Sequence, residues 1–202
     1  VVDNNSVNRD IDKITIEYPN VNYINLSENL GFAKANNLAV KKANGIYLLF
    51  LNPDIIVIRN FAIALVEYSK NNNATGACAP MLLNKDLSYQ SSTGPTMGLR
   101  YEFLEALNLI SVSRKFQKNK YLKNIKSIIE VGWVSAACMV IKKDIFDRVH
   151  GFTESYFLNY EDIDLCYKLN KIGVKNYFFS NYECIHINHK SFDKDYELLV
   201  YS

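Results

Sequence analysis

Hydrophobic positions along the chain form two patterns: short continuous apolar runs, and stretches in which apolar residues recur every three or four positions. The first pattern predicts buried strands and the second predicts helices with one apolar face. Strands are predicted over 21–26, 46–51, 75–83, 133–141, 174–179 and 184–187. Helices are predicted over 33–43, 61–70, 101–109, 144–149 and 162–172. Because strands and helices alternate, the chain is expected to form an α/β sheet with helices packed on its faces.

The composition is typical of a globular chain with one substantial core, since 49% of its 202 residues are hydrophobic and 22% are charged. A net charge of +2 gives no sign of polyanion binding, so nucleic acid is not favoured as a partner. No apolar run approaches the roughly 20 residues of a membrane helix, so any membrane contact is expected to be peripheral. The cysteines lack the spacing of a zinc site or a disulfide framework, which fits a reducing cytoplasm; they are Cys78, Cys138, Cys166 and Cys184.

Two polar clusters near the amino terminus lie where open α/β sheets bind ligands. An apolar start runs into a turn that contains Asp3 and Asn5, whose short side chains suit hydrogen bonding to a base or ribose. Further along, Asn29 and Gly31 open a predicted helix that carries Asn37. An ordinary Asx-rich turn explains the first cluster and a capped helix start explains the second, so both explanations stay open.

A carboxylate follows the buried strand over 46–51, in the turn Asn52-Pro53-Asp54. A hard cation that bridges a diphosphate is held by one or two carboxylates together with phosphate oxygens and water, so a single aspartate suffices. A plain β-turn is the alternative.

Three carboxylates lie within four residues at the start of the last predicted helix: Glu161, Asp162 and Asp164. The helix dipole favours acids there, which explains some of them. They follow an aromatic-rich loop that includes Tyr160, and a carboxylate in such surroundings is suited to taking a proton from a hydroxyl. The final predicted strand ends near His186, although a single histidine is more often structural than a ligand.

In their order along the chain, these segments resemble the rhamnosyltransferase-like branch of family two glycosyltransferases. The segments are Val-Val-Asp-Asn-Asn-Ser, Asn-Leu-Gly-Phe-Ala-Lys-Ala-Asn-Asn, Leu-Asn-Pro-Asp, Gly-Phe-Thr-Glu-Ser-Tyr-Phe-Leu-Asn-Tyr-Glu-Asp-Ile-Asp-Leu-Cys and His-Ile-Asn-His-Lys-Ser. The resemblance implies a GT-A-type, Rossmann-like mixed sheet that is mostly parallel and flanked by helices. Family members have a further strand and helix before the first of these segments, so the chain is expected to lack that usual first strand and helix.

The resemblance also implies a function and roles for individual residues. It implies an inverting, metal-dependent enzyme of the hexosyltransferase class that takes a sugar, with rhamnose suggested by the branch, from a dTDP- or UDP-sugar. The catalytic residues are then Asp162 as base with Glu161 beside it, and Asp54 and His186 hold Mg²⁺ or Mn²⁺. The expected nucleotide-binding residues are Asp3, Asn5, Asn29, Gly31, Asn37 and Asn52. Those of the acceptor or donor-sugar pocket are Trp133, Ser135, Ala136 and Tyr160.

The acceptor implied by the resemblance is a saccharide or a polyprenyl-diphosphate-linked sugar, in bacterial cell-surface polysaccharide synthesis. A single domain over 1–202 is expected, with a basic helical or loop insertion around 101–127. Six basic residues and no acidic residue lie within 114–126; a solvated surface explains them, and contact with anionic lipid or a lipid-linked diphosphate is the alternative. A cytoplasmic enzyme at the inner face of the membrane fits both. Whether the chain forms a homo-oligomer is left open, and a sugar-nucleotide-binding protein without turnover is the alternative function.

Overall fold

The computed structural model describes residues 1–6, 15–96 and 127–187. Its helices are α1 (Gly31–Lys42), α2 (Ala62–Asn71), α3 (Lys143–Arg148) and α4 (Glu161–Lys171). Its strands are β1 (Val2–Asp3), β2 (Ile24–Asn25), β3 (Tyr47–Leu51), β4 (Ile55–Val57), β5 (Thr75–Leu83), β6 (Thr93–Gly94), β7 (Ile128–Val131), β8 (Trp133–Val134), β9 (Cys138–Lys142) and β10 (Lys175–His186). Within these ranges, no helix has both the length and the apolar character needed to cross a membrane.

A six-stranded sheet forms the centre of the molecule, with the order β3-β9-β5-β10-β4 and with β7 also paired to β10. The sheet is mixed, as predicted. Its pairings are mostly antiparallel, however, where the prediction is a mostly parallel sheet. Among its described strands β5 and β10 run parallel, whereas the other pairings are antiparallel. A separate small sheet pairs β1 with β2 in parallel.

Strand β5 explains why helices are packed on both faces of the sheet. All nine of its residues are buried, and successive side chains of a strand point to opposite faces. Ala77, Ala79 and Met81 join one apolar cluster that includes Leu165 of α4. Cys78 and Leu82 join a second cluster that includes Leu65 of α2. The continuous apolar run therefore predicts a central strand with both faces covered, and that is its position.

Strand β10 is one continuous strand, where the sequence predicts two strands over 174–179 and 184–187. The intervening residues are polar enough to suggest a turn, but a register shift between Phe179 and Glu183 absorbs them without ending the pairing with β5. On its other edge β10 pairs with β7 near its start and with β4 near its end. This continuity carries His186 to a position opposite Ile55, one residue after Asp54.

The apolar run over 133–141 is divided into β8 and β9, where the sequence predicts one strand. Residues 135–137 form a turn between the two strands, and their backbone groups are therefore available for contacts outside the sheet. The predicted helix over 101–109 and the basic segment over 114–126 lie outside the described residues, as does most of the predicted insertion over 101–127.

Candidate active site

The turn that contains Asp54 is held at both ends by backbone hydrogen bonds. Asn52 N donates to the oxygen of Ala137 over 2.8 Å, and Ile55 N donates to Asn52 O over 3.2 Å, which closes a four-residue turn around Pro53. Since proline fixes its own φ angle, the turn presents the Asp54 side chain from a stiff backbone. The residues are a β-turn, and that structure is compatible with a ligand role.

Asp54 and His186, the two residues predicted to hold a cation, meet at the end of the sheet. Ile187 N donates to Asp54 O over 3.0 Å, so the backbone after β10 is joined to the turn. His186 Nε2 lies 3.3 Å from Asp54 Oδ1, and both side chains are only 15% exposed. The structure thus brings together two groups that are far apart in sequence.

The chemistry of this pair fits a divalent cation that is shared with a ligand. In the described part of the chain no group of three or more His, Cys, Asp or Glu side chains is arranged to hold a metal. A carboxylate and an imidazole nevertheless suffice where a diphosphate and water complete the coordination. The imidazole also contacts Gln90, whose Oε1 lies 2.7 Å from His186 Nδ1.

Asp162 lies in the first turn of α4, where backbone N–H groups hold its carboxylate. Ala136 N donates to Asp162 Oδ2 over 3.3 Å, and Ile163 N donates to Oδ1 over 2.8 Å. Burial raises the pKa of Asp162 above its usual value, and these N–H groups together with the Ser135 hydroxyl partly offset that rise. A carboxylate with a raised pKa is a stronger base, which suits proton abstraction near neutral pH.

Glu161, next to Asp162, is 6% exposed, and its Oε2 has no hydrogen-bond partner among the described residues. Burial raises its pKa, and the neighbouring charge of Asp162 adds to the rise. The predicted catalytic role of Glu161 stays a prediction.

The turn over 135–137 connects the two halves of the candidate site. Ala137 O accepts from the Asp54 turn, at Asn52, while Ala136 N donates to Asp162. The turn of Asp54 and the carboxylate of Asp162, the predicted base, are therefore hydrogen-bonded to the adjacent residues Ala137 and Ala136. Trp133, at the start of this segment, is half-buried, and its carbonyl oxygen accepts from Thr93 Oγ1 over 2.7 Å.

The predicted nucleotide-binding residues near the amino terminus are linked by Asn4, a residue for which no role is predicted. Asn4 Nδ2 donates to Asn29 Oδ1 and Asn4 Oδ1 accepts from Leu30 N, each over 2.8 Å. Asn29 Oδ1 also accepts from Gly31 N over 2.9 Å. The end of β1 and the start of α1 thus form one hydrogen-bonded unit, which also contains Asp3, whose Oδ1 accepts from Ser6 N.

Asn37 is hydrogen-bonded within the chain, whereas the side chain of Tyr160 is exposed. Asn37 holds the loop before α4, because its amide accepts from Phe152 N over 3.1 Å and donates to Phe152 O over 2.9 Å. Both amide groups are therefore engaged within the chain, and its predicted contact with a nucleotide stays a prediction. Tyr160 is 63% exposed and has a left-handed backbone, with φ of 69°, immediately before Glu161.

Gly31 lies where the start of α1 packs closely against the loop before α4. Phe32 N donates to Phe157 O over 3.0 Å, and a Cβ at Gly31 would lie 2.5 Å from that oxygen. Gly31→Ala is expected to displace the loop and to lower both activity and stability, by more than the roughly 1 kcal/mol of a strained φ alone. Thermal unfolding and a donor-binding assay measure the two effects.

Gly173→Ala is the matched control for this substitution. Gly173 has a φ of 83°, close to the 78° of Gly31, but a Cβ there would meet nothing within 4 Å. It is expected to lose about 1 kcal/mol of stability and to keep donor binding. Equal effects of the two substitutions on binding would contradict the proposed contact between Gly31 and the loop.

The sequence profile of glycosyl transferase family 2 matches residues 1–149, which is most of the chain. The chain belongs to glycosyl transferase family 2. This confirms the predicted family, and two relatives agree with the predicted rhamnosyltransferase-like branch. Rhamnosyltransferase WbbL of Escherichia coli is 28% identical over 166 residues, which cover 79% of this chain and 61% of the relative. The N-acetylglucosaminyl-diphospho-decaprenol L-rhamnosyltransferase of Mycobacterium tuberculosis is 24% identical over 208 residues, which cover 96% of this chain and 68% of the relative.

Solved structures confirm the predicted fold of this family 2 chain. The structure of GalNAc-T7 with UDP, GalNAc and Mn²⁺ has a TM-score of 0.67 at 13% identity, over 93% of this chain and 37% of that one. The structure of S. aureus TarS 1-349 has a TM-score of 0.59 at 16% identity, over 95% of this chain and 51% of that one. At these identities the likeness concerns the fold alone.

Proposed function

We propose that this family 2 chain catalyses metal-dependent, inverting transfer of a sugar from a nucleoside-diphosphate donor. The observation that carries the proposal is the turn over 135–137, which joins the Asp54 turn to Asp162 through backbone groups of the adjacent residues Ala137 and Ala136. A diphosphate at the Asp54 and His186 pair and an acceptor hydroxyl at Asp162 would both be bound next to this turn. The proposed reaction is a single displacement, in which the base and the leaving group act on opposite sides of one carbon.

Asp54 and His186 would hold Mg²⁺ or Mn²⁺, and the bound cation would neutralise the negative charge that grows on the departing diphosphate. Asp162 accepts the proton of the acceptor hydroxyl at a carboxylate oxygen. The hydroxyl oxygen then bonds to the anomeric carbon as the bond to the diphosphate breaks, and the configuration at that carbon inverts. The amide groups of Ala136 and Ile163 keep the carboxylate oriented throughout.

The names of the two relatives support a narrower proposal for the substrates. Both are rhamnosyltransferases, and one acts on a diphospho-decaprenol-linked sugar. We therefore propose rhamnose as the transferred sugar, with a dTDP-sugar tested first and a UDP-sugar second. The acceptor proposed is a polyprenyl-diphosphate-linked saccharide, in cell-surface polysaccharide synthesis at the cytoplasmic face of the membrane.

A transfer assay tests this proposal most completely. The purified protein is incubated with dTDP-rhamnose or a UDP-hexose, with a polyprenyl-diphosphate-linked N-acetylglucosamine, and with Mn²⁺ or a chelator. The expected result is a glycosylated lipid whose new linkage has the anomeric configuration opposite to that of the donor, formed only with the cation present. A product that keeps the donor configuration would contradict the single displacement, and donor binding without product would favour a binding protein without turnover.

A further inference from the structure

The direction of the hydrogen bond between Gln90 and His186 is determined by the side chains of the turn over 84–90, which follows β5. We propose that Gln90 is a positioning residue, which holds the His186 imidazole with its proton on Nδ1 and so directs an unprotonated Nε2 toward Asp54. The proposal rests on the proposed function, because it concerns how this chain prepares its cation site.

The starting point is a chain of hydrogen bonds in the turn after β5. Ser88 Oγ is 2.5 Å from Asp86 Oδ1, and Asn84 Nδ2 is 2.9 Å from Ser88 Oγ. Gln90 Nε2 is 3.2 Å from Asn84 Oδ1, and Gln90 Oε1 is 2.7 Å from His186 Nδ1. Five side chains are therefore linked in one path that ends at the candidate cation site.

The carboxylate of Asp86 sets the direction of every bond in this path. An ionised carboxylate only accepts, so the Ser88 hydroxyl donates to it and uses its lone pair to accept from the Asn84 amide nitrogen. The Asn84 oxygen then accepts from the Gln90 nitrogen, which leaves the Gln90 oxygen to face the imidazole. Since that oxygen cannot donate, His186 must donate from Nδ1. In the neutral ring, Nε2 then carries the lone pair.

The backbone of Gln90 is fixed as firmly as its side chain. Gln90 N donates to Leu82 O over 2.9 Å, and the preceding residue, Tyr89, is buried and bridged to Leu83 of β5. The backbone that carries this amide is thus hydrogen-bonded to β5, the central strand of the sheet. An imidazole that coordinates a metal through one nitrogen commonly donates its other N–H to an oxygen of this kind, and loss of such a partner typically lowers metal affinity 10- to 100-fold.

Two substitutions separate positioning from simple packing. Gln90→Met keeps the size of the side chain but removes the oxygen that accepts from Nδ1, whereas Gln90→Glu keeps an accepting oxygen at the same distance along the side chain. Ser91→Ala is the control, because Ser91 is exposed and next in the chain. Asn84→Ala is a second test of the path, one bond farther from the imidazole.

The first measurement is Mn²⁺ affinity, by electron paramagnetic resonance with UDP or dTDP present. Gln90→Met is expected to bind Mn²⁺ about 10- to 100-fold more weakly than the parent. Ser91→Ala is expected to stay near the parent, and Asn84→Ala to show a smaller loss than Gln90→Met. Gln90→Glu is expected to bind Mn²⁺ at least as tightly as the parent, because its carboxylate still accepts from Nδ1 and adds a negative charge near the cation. Equal Mn²⁺ affinity in Gln90→Met and the parent would overturn the inference while leaving the proposed function intact. A parent that binds no Mn²⁺ would instead overturn the proposed cation site.

The second measurement needs no metal and reports the imidazole directly. Long-range ¹H–¹⁵N spectra distinguish the two neutral forms of a histidine ring, and they are recorded at a pH where the ring is neutral. His186 is expected to carry its proton on Nδ1 in the parent and to gain the Nε2-protonated form in Gln90→Met. A purely structural role of Gln90 would change the unfolding temperature but not this ratio, and an unchanged ratio would contradict the proposal.

Discussion

Asp162→Asn is expected to slow sugar transfer by about 10²- to 10⁴-fold while leaving donor binding close to that of the parent. An amide cannot take the proton of the acceptor hydroxyl, and loss of a general base typically has an effect of this size. The amide still has one oxygen that can accept from Ala136 N or Ile163 N, so the start of α4 is expected to keep its structure. Initial rates and a nucleotide titration on the same preparation separate the two effects.

Asp162→Asn is also expected to change the pH dependence of stability, in a direction that a damaged fold would not produce. Because burial raises the pKa of Asp162 in the folded state, the folded chain holds that proton more tightly than the unfolded chain does. The parent is therefore expected to lose stability as pH rises from the ordinary aspartate pKa through the raised one. Asp162→Asn removes this cost, so its unfolding temperature should exceed that of the parent at pH 7 and approach it at low pH.

Asp144→Asn is a suitable control, because Asp144 is exposed on α3 and ion-paired with Lys142. Asp144→Asn makes the same change of a carboxylate to an amide outside the candidate site, and it is expected to leave the transfer rate unchanged. Turnover of Asp162→Asn within a few-fold of the parent would remove Asp162 from the role of base.

Asp54→Ala is expected to weaken nucleotide binding in the presence of Mn²⁺ by more than about a hundredfold, because a direct metal ligand contributes several kcal/mol. In the absence of a divalent cation, parent and variant are expected to bind nucleotide equally weakly. The backbone bond from Ile187 N to Asp54 O does not need the side chain, so the turn should persist. Calorimetric titration with and without the cation measures the difference.

Asp147→Ala is the matched control for Asp54→Ala, since Asp147 is an exposed carboxylate that pairs with Lys143. It should leave the cation-dependent part of nucleotide binding unchanged. If Asp54→Ala bound nucleotide as tightly as the parent with Mn²⁺ present, the assignment of Asp54 as a cation ligand would be wrong.

The motifs of this chain predict which side chains carry chemistry, because each lies in a short local pattern. The turn after a buried run contains Asp54, and the acidic helix start contains Asp162. Their strands and helices follow from hydrophobic periodicity alone, and Thr75–Leu83 is a strand over the same residues that the pattern predicts. His186 is identified only by the family resemblance, because a single histidine is by itself a weak signal.

The contacts that assemble the site could not be predicted from local patterns, because each depends on pairing between distant segments; only the family resemblance places Asp54 and His186 together. The polar residues before Glu183 suggest the end of a strand, and only the pairing with β5 and β4 shows that β10 continues to His186. Gln90 lies in a serine-rich loop with no motif of its own. Its proposed role follows from the bridge between Leu83 and Tyr89 and from the path of hydrogen bonds, neither of which a sequence pattern encodes.

The most direct test of the central claim is calorimetric titration of the purified protein with UDP and with dTDP, each with Mn²⁺ and with a chelator. The proposed cation site at Asp54 and His186 predicts that at least one of the two nucleotides binds, that binding requires the cation, and that the tighter nucleotide identifies the donor. Binding of equal strength with Mn²⁺ and with the chelator would contradict the account, and so would the absence of binding by both nucleotides.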